Sequence, residues 1–131
     1  MSFALHPRLA ADTHFIADWP LSRLLLMNDA RYFWLILVPR IPNLIEITEL
    51  SVFDRSALVE EAARAGRIIK NAGAAKLNIG ALGNLVPQLH LHVVGRAPDD
   101  PAWPGPVWGH SPPVPYSAAL LAERLALVRS G

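Results

Sequence analysis

Two apolar runs, Arg23-Leu24-Leu25-Leu26-Met27 and Tyr32-Phe33-Trp34-Leu35-Ile36-Leu37-Val38, stand on either side of Asn28-Asp29-Ala30-Arg31. Short runs of this kind, bounded by Pro20 and Pro39 and parted by an Asn-Asp turn, read as a β-hairpin. A helix would be longer and would tolerate those prolines less well. Before them, Thr13 to Asp18 reads as a short strand or an extended lead-in. After them, Ile41 to Leu50 is an irregular link holding Pro42 and Asn43. Ser51-Val52-Phe53-Asp54 then has the spacing of a helix capping box. Leu58, Val59, Ala62, Ala65 and Ile69 follow at helical spacing, with Glu60, Glu61, Arg64 and Arg67 as a solvated opposite face. Asn71 and Gly73 supply the stop.

Lys76 to Gly80 alternates as a strand, Gly83-Asn84 makes a turn, and Gln88 to Val94 is the most regular strand pattern in the chain. From Pro98 to Pro115 there are seven prolines and two tryptophans, Trp103 and Trp108, so no regular element can run through that stretch. It is expected to be an extended segment lying against the rest. Ser117 opens a last amphipathic helix to about Arg129, carrying Leu120, Leu121, Leu125 and Val128. The order of strands, helix, strands, tail and helix predicts an α+β domain. Its sheet is mainly antiparallel, with the helices against one face.

Composition narrows the function classes. The chain has 131 residues, enough for one domain with a sizeable core, and 52% are hydrophobic against 18% charged, which argues against disorder. Lys and Arg total 12 against 11 acidic residues, for a net charge of +1, so there is no basic footprint for nucleic acid. Cysteine is absent, which removes a disulfide scaffold, a thiolate zinc site and a cysteine nucleophile. The longest apolar run, Tyr32 to Val38, is far short of the ~20 residues of a membrane-spanning helix. The first residues show no basic-then-apolar signal peptide. A cytoplasmic domain without membrane contact is expected.

The chemistry concentrates in Gln88-Leu89-His90-Leu91-His92-Val93-Val94. Strand alternation puts Leu89, Leu91 and Val93 on one face and Gln88, His90 and His92 on the other, about 7 Å from one to the next. Imidazole has an ordinary pKa near 6.5, so near neutral pH it serves as nucleophile or base when its near N–H is held and its far nitrogen is free. A second imidazole beside it would donate to a phosphate oxygen or a leaving group. Three readings stay open on spacing alone. One is a pair of surface histidines, the second is catalysis or anion binding, and the third is a metal held by His90 and His92. A metal needs further ligands, and His6, His14 and His110 are distant in sequence.

Gly83-Asn84-Leu85-Val86-Pro87-Gln88-Leu89-His90-Leu91-His92-Val93-Val94 resembles the signature of the histidine triad (HIT) superfamily. That signature has three histidines alternating with apolar residues after a Gly-containing loop. The resemblance covers roughly Leu21 to Arg96. With Gln at the head of the row and a tail reading Asp99-Asp100-Pro101-Ala102-Trp103-Pro104-Gly105-Pro106-Val107-Trp108-Gly109, the chain looks like a particular branch of that superfamily. The resemblance implies a single HIT-like domain over residues 1–131. Its core is about 21–96, its extended tail 97–116 and its C-terminal helix 117–129. The fold it implies is a sheet of about five strands with two helices packed on one face.

It also implies a small-molecule nucleotide or phosphorylated ligand, a homodimer, and neither metal nor cofactor. His90 would attack an α-phosphorus to form a nucleotidyl-histidine, with His92 and Gln88 assisting and a backbone carbonyl near Gln88 holding the N–H of His90. Asn28 would contact the ribose, Asn78 would lie near the phosphate, and the Gly83-Asn84 loop would offer backbone N–H groups to phosphate oxygens.

Three departures from the pattern bear on activity. Gln88 stands at the first triad position, and an amide donates to phosphate but shuttles no proton near neutral pH. Leu85 stands where a hydroxyl residue is common. Trp34 stands where many members carry a histidine, and it is expected to be core or pocket floor. Two functions follow: a nucleotide phosphoramidase or nucleotidyl hydrolase, and a nucleotide- or phosphate-binding module with little or no turnover. Trp103 and Trp108 are expected to pack the tail onto the sheet, with a lid over the ligand as the other reading.

Overall fold

The computed structural model describes residues 2–131. In chain order it runs α1 (Pro7–Asp12), β1 (Thr13–Asp18), β2 (Ser22–Met27), β3 (Trp34–Pro39), a 3-10 turn (Ile47–Glu49), α2 (Val52–Asn71), β4 (Lys76–Gly80), β5 (Leu91–Arg96) and α3 (Ala118–Ser130). The strands form one sheet in the order β1-β2-β3-β5-β4, with every neighbouring pair antiparallel. The hairpin read from the two apolar runs is β2–β3, with Leu24 opposite Leu37 and Leu26 opposite Leu35. The long helix starts where Ser51 accepts a hydrogen bond from the Asp54 amide, at 3.0 Å.

Residues paired across neighbouring strands share a face, so the register sorts the side chains. Leu24, Leu26, Leu35, Leu37, Leu91 and Val93 face one way and pack with Leu58, Ala62, Ala65 and Ile69 of α2 and Val128 of α3. These two helices on one face match the expected architecture. The opposite face is covered too. Leu25, Trp34, Ile36, Val38 and Val94 are covered there by Leu9 of α1, by Phe3 and Leu5, and by Val86, Ala102, Val107 and Trp108. The prolines that forbid regular structure in the tail leave it free to follow the sheet surface, and its apolar side chains find their burial there.

Two local readings change. Helix α1 was not expected; Pro7 at its first turn and the His6 side chain accepting from the Arg8 amide start it. The α2 face bearing Glu61 is not simply solvated. Glu61 is buried, and its Oε2 accepts from the Leu21 amide at 2.9 Å, tying α2 to the turn before β2. Arg64 lies 4.1 Å over the Trp19 ring.

Gly95 on β5 is where α2 comes closest to the sheet. A Cβ there would meet Ile69 Cγ2 at 2.5 Å and Ala74 Cβ at 3.1 Å. Gly95→Ala is therefore expected to destabilise the fold by about 1–3 kcal/mol through overpacking. Urea denaturation checks this as a lower midpoint at unchanged slope.

Candidate active site

The histidine strand begins later than its pattern suggests. Leu91 is the first residue paired with β3, opposite Leu37, and His92 lies opposite Ile36 on one side and Gly80 on the other. Further back, the backbone groups go elsewhere. The Leu89 amide donates to the Leu44 carbonyl at 2.9 Å, and Pro87 and Pro39 have no N–H to offer. Alternation nevertheless carries through the bend, because Leu89, Leu91 and Val93 all enter the helix-side core. His90 and His92 consequently approach on the other side, with ring centroids 4.8 Å apart at 66°.

Each imidazole has its Nδ1 engaged, by partners of opposite polarity. His90 Nδ1 lies 2.7 Å from the Gln88 carbonyl oxygen. That oxygen only accepts, so the proton sits on His90 Nδ1, and the lone pair of the uncharged ring is on Nε2. His92 Nδ1 accepts from Trp34 Nε1 at 2.9 Å. Both rings are nearly closed to solvent, at 7% exposure for His90 and 5% for His92. Burial, and secondarily the neighbouring His90, pull the His92 pKa from 6.5 down to about 3. His92 is therefore an uncharged ring throughout the neutral range.

The other residues singled out from the sequence are dispersed. The Gln88 side chain is engaged with the N-terminal segment. Its Oε1 accepts from the His6 amide at 2.8 Å and its Nε2 donates to the Ala4 carbonyl at 2.9 Å, so both ends of the amide hold the N-terminal segment. It also lines a cavity of about 320 Å³ with His6, Asn43 and Pro87. Asn78 pairs opposite Val94, on the histidine side of the sheet, and its Oδ1 accepts from Arg96 Nη1 at 2.7 Å. Asn28 closes the end of β2, where its Oδ1 accepts from the Tyr116 amide at 3.0 Å. Gly83 has φ +72°, a conformation that favours glycine, and Asn84 beside it is exposed. Leu85 is 77% exposed. A larger cavity, about 510 Å³, is lined by Arg31, Arg96, Asp99, Glu123 and Arg124, and by neither histidine. Among the described residues no three His, Cys, Asp or Glu side chains gather as a metal site would require.

Two contributors were not foreseen. Trp34, expected as core or pocket floor, also donates a hydrogen bond to His92. Trp34 stands two residues before Ile36, the cross-strand partner of His92, a juxtaposition that the strand register brings about. The second is Arg96, only 2% exposed. It binds Asp100 through two bonds, 2.8 and 3.0 Å, and gives a third to the Gly105 carbonyl at 2.8 Å. Arg96 thereby holds the Asp100 carboxyl at about 2, below its usual 3.8. Asp100 is the anchor of the tail. From that anchor the chain carries Trp108 over the site, its ring 5.5 Å from His92 and 6.4 Å from Trp34. Trp103 stays at the surface beside the Arg96 guanidinium, and His110 is exposed on Ser111.

A five-stranded antiparallel sheet backed by a long helix, with a strand carrying two alternating imidazoles on its other face, defines a class that the comparisons identify. The HIT domain family model matches residues 8–99, and the chain belongs to the HIT family. Solved histidine triad proteins share its fold almost throughout. That of Bradyrhizobium japonicum is 44% identical, with a TM-score of 0.97 over 99% of this chain and 98% of its own. That of Marinobacter aquaeolei is 46% identical, at 0.95 over 99% and 96%. That of Sinorhizobium meliloti is 42% identical, at 0.95 over 98% and 96%. No curated protein matches the chain. Among the described residues no helix is long and apolar enough to cross a membrane.

The depressed His92 pKa links stability to pH. Unfolded, this imidazole takes a proton below about 6.5; folded, it takes one only near 3. The unfolded state thus binds more protons between those values, and stability falls as pH falls through that window. Between pH 6 and about 4.5 the native protein should lose stability more steeply than His92→Gln, by up to about 1.4 kcal/mol per pH unit. Denaturation midpoints of the two proteins across that range check it.

Proposed function

We propose that the chain is a HIT-type hydrolase or transferase acting on a nucleotide α-phosphate, with His90 as the nucleophile. The observation that supports this most directly is the 2.7 Å contact of His90 Nδ1 with the Gln88 carbonyl. It leaves the lone pair on Nε2 as a nucleophile requires, and a fixed backbone group keeps it there. In the first step the Nε2 lone pair bonds to the α-phosphorus, and the bond to the leaving group breaks, its electron pair departing with that group, which takes up a proton from solvent where it leaves as an amine. In the second, a water oxygen bonds to phosphorus as the P–N bond breaks, returning the lone pair to His90 and releasing the nucleoside monophosphate with loss of the water's proton. Asn78, Gly83 and Asn84 are assigned to phosphate contact, Asn28 to the sugar side, and Gln88 to holding the segment beside the site. A small phosphorylated ligand rather than nucleic acid agrees with the net charge of +1.

His90→Ala should abolish release of adenosine or guanosine monophosphate from a phosphoramidate or dinucleoside polyphosphate. Intact-protein mass spectrometry of the native chain, quenched with substrate, should show one nucleotidyl group mapped to His90. If native protein and variant are both folded and equally inert across such substrates, the enzymatic reading fails.

A second reading, ligand binding with little turnover, draws on Gln88 and Leu85. The Gln88 amide is spent on Ala4 and His6, and Leu85 offers no hydroxyl where related loops supply one. Calorimetry with nucleoside monophosphates separates the two readings, since binding without turnover favours the second and no binding removes it.

We assign a homodimer to the same proposal. Strand β4 is a sheet edge, and Ile79, Leu82 and Leu85 on and just after it are about half exposed or more. An apolar edge of this kind invites a second copy. Light scattering should give twice the chain mass, and Ile79→Glu should shift it toward the monomer.

A further inference from the structure

The two imidazoles are chemically identical and differ in what each Nδ1 faces. His90 Nδ1 faces a carbonyl, which only accepts; His92 Nδ1 faces an indole N–H, which only donates. We infer that Trp34 is a positioning residue that confines the ring proton of His92 to Nε2, making this imidazole a hydrogen-bond donor beside the nucleophile. The inference rests on the proposed reaction at His90 for its catalytic meaning, but not for its geometry.

The indole is well placed to impose a tautomer. Trp34 is 6% exposed and His92 5%, so no water competes freely for either nitrogen. A proton on His92 Nδ1 would set two N–H groups head to head in a buried site, costing the hydrogen bond and leaving a donor unsatisfied. Neither partner has room to turn away. Trp34 pairs opposite Val94 in the middle of the sheet, and the rings of Tyr32 and Trp108 meet it edge-on at 6.2 and 6.4 Å. Trp108 also closes on His92, at 5.5 Å.

The consequence is a division of labour between like residues. His90 presents a lone pair on Nε2, and His92, whose ring centroid lies 4.8 Å from that of His90, carries an N–H on its own Nε2. A fixed donor next to the attacking atom suits the negative charge that gathers on phosphate oxygens as the new bond forms. A histidine in place of Trp34 has two tautomers and a charged form, and so leaves the His92 proton undetermined. Indole has neither freedom.

Nitrogen NMR of histidine-labelled native protein tests the inference directly. His92 should show an unprotonated Nδ1 and a protonated Nε2, and His90 the reverse. A protonated His92 Nδ1 would overturn it. In Trp34→Phe, which keeps an aromatic ring and removes the donor, the His92 signals should move toward the other tautomer while those of His90 stay in place. Unchanged His92 signals in that folded variant would also overturn it. If the variant does not fold, the native protein decides through the coupling across the Trp34 Nε1–H to His92 Nδ1 bond, whose absence is fatal.

With a turned-over substrate, Trp34→Phe should lower kcat roughly 10- to 100-fold, the range expected for a misdirected transition-state donor, with KM nearly unchanged. An unchanged kcat in a variant whose tautomer has shifted would remove the catalytic role. Should no substrate be turned over at all, the proposed reaction fails while the NMR result still stands or falls by itself.

Discussion

A backbone carbonyl accepts hydrogen bonds and cannot donate them, and the carbonyl of Gln88 applies that polarity to His90. The 2.7 Å contact requires a proton on Nδ1 and leaves the lone pair on Nε2. The contact exists because the chain leaves the sheet at this point. Were Gln88 to His90 paired as strand, the Gln88 carbonyl would be spent on a ladder bond or turned away from its own neighbour's ring. Pro39 ends β3 without an N–H, and the Leu89 amide turns to Leu44, so the Gln88 carbonyl remains for the imidazole. One step further along, β5 is back in register, and His92 is held by the rigid centre of the sheet.

The covering of this face is a second structural theme. The helix side is an ordinary leucine-rich core, but the histidine side is closed by irregular chain. The N-terminal segment is held by the Gln88 amide, and the tail by the Arg96–Asp100 pair. A buried ion pair gives specificity of placement more than net stability, because desolvating both charges offsets most of their attraction. Here further hydrogen bonds satisfy the guanidinium, to Asn78 and Gly105, which ties the tail, β4 and β5 into one unit beside the imidazoles. Under the proposed function the same coverage keeps bulk water away from the His92 donor, a condition under which a fixed donor acts most strongly on developing charge.

Much of the fold was legible along the chain. The hairpin, the Ser51-capped helix, the Lys76–Gly80 strand and the final helix announce themselves through local periodicity, prolines and caps, which act over a few residues. The alternation of Leu89, Leu91 and Val93 likewise identified the core side of the histidine segment, and the shared motif pointed to the family. Short helix α1 carried too little periodicity to stand out. Glu61 was misjudged because its partner, the Leu21 amide, lies 40 positions away.

By itself, then, the sequence determined most of the segments that form strands and helices, which side of the histidine segment is greasy, and that two imidazoles stand on the other. Those properties depend on neighbours within a turn of helix or two residues of strand. Only the tertiary structure decided which nitrogen of each ring is engaged, that the Gln88 amide grips the N-terminal segment, and that Trp34 meets His92 and Arg96 anchors the tail. Such contacts join residues as far apart as 84 positions, and their geometry is settled when separate elements pack. A proton's place on an imidazole follows from the polarity of one facing atom, and no local pattern specifies which atom that will be.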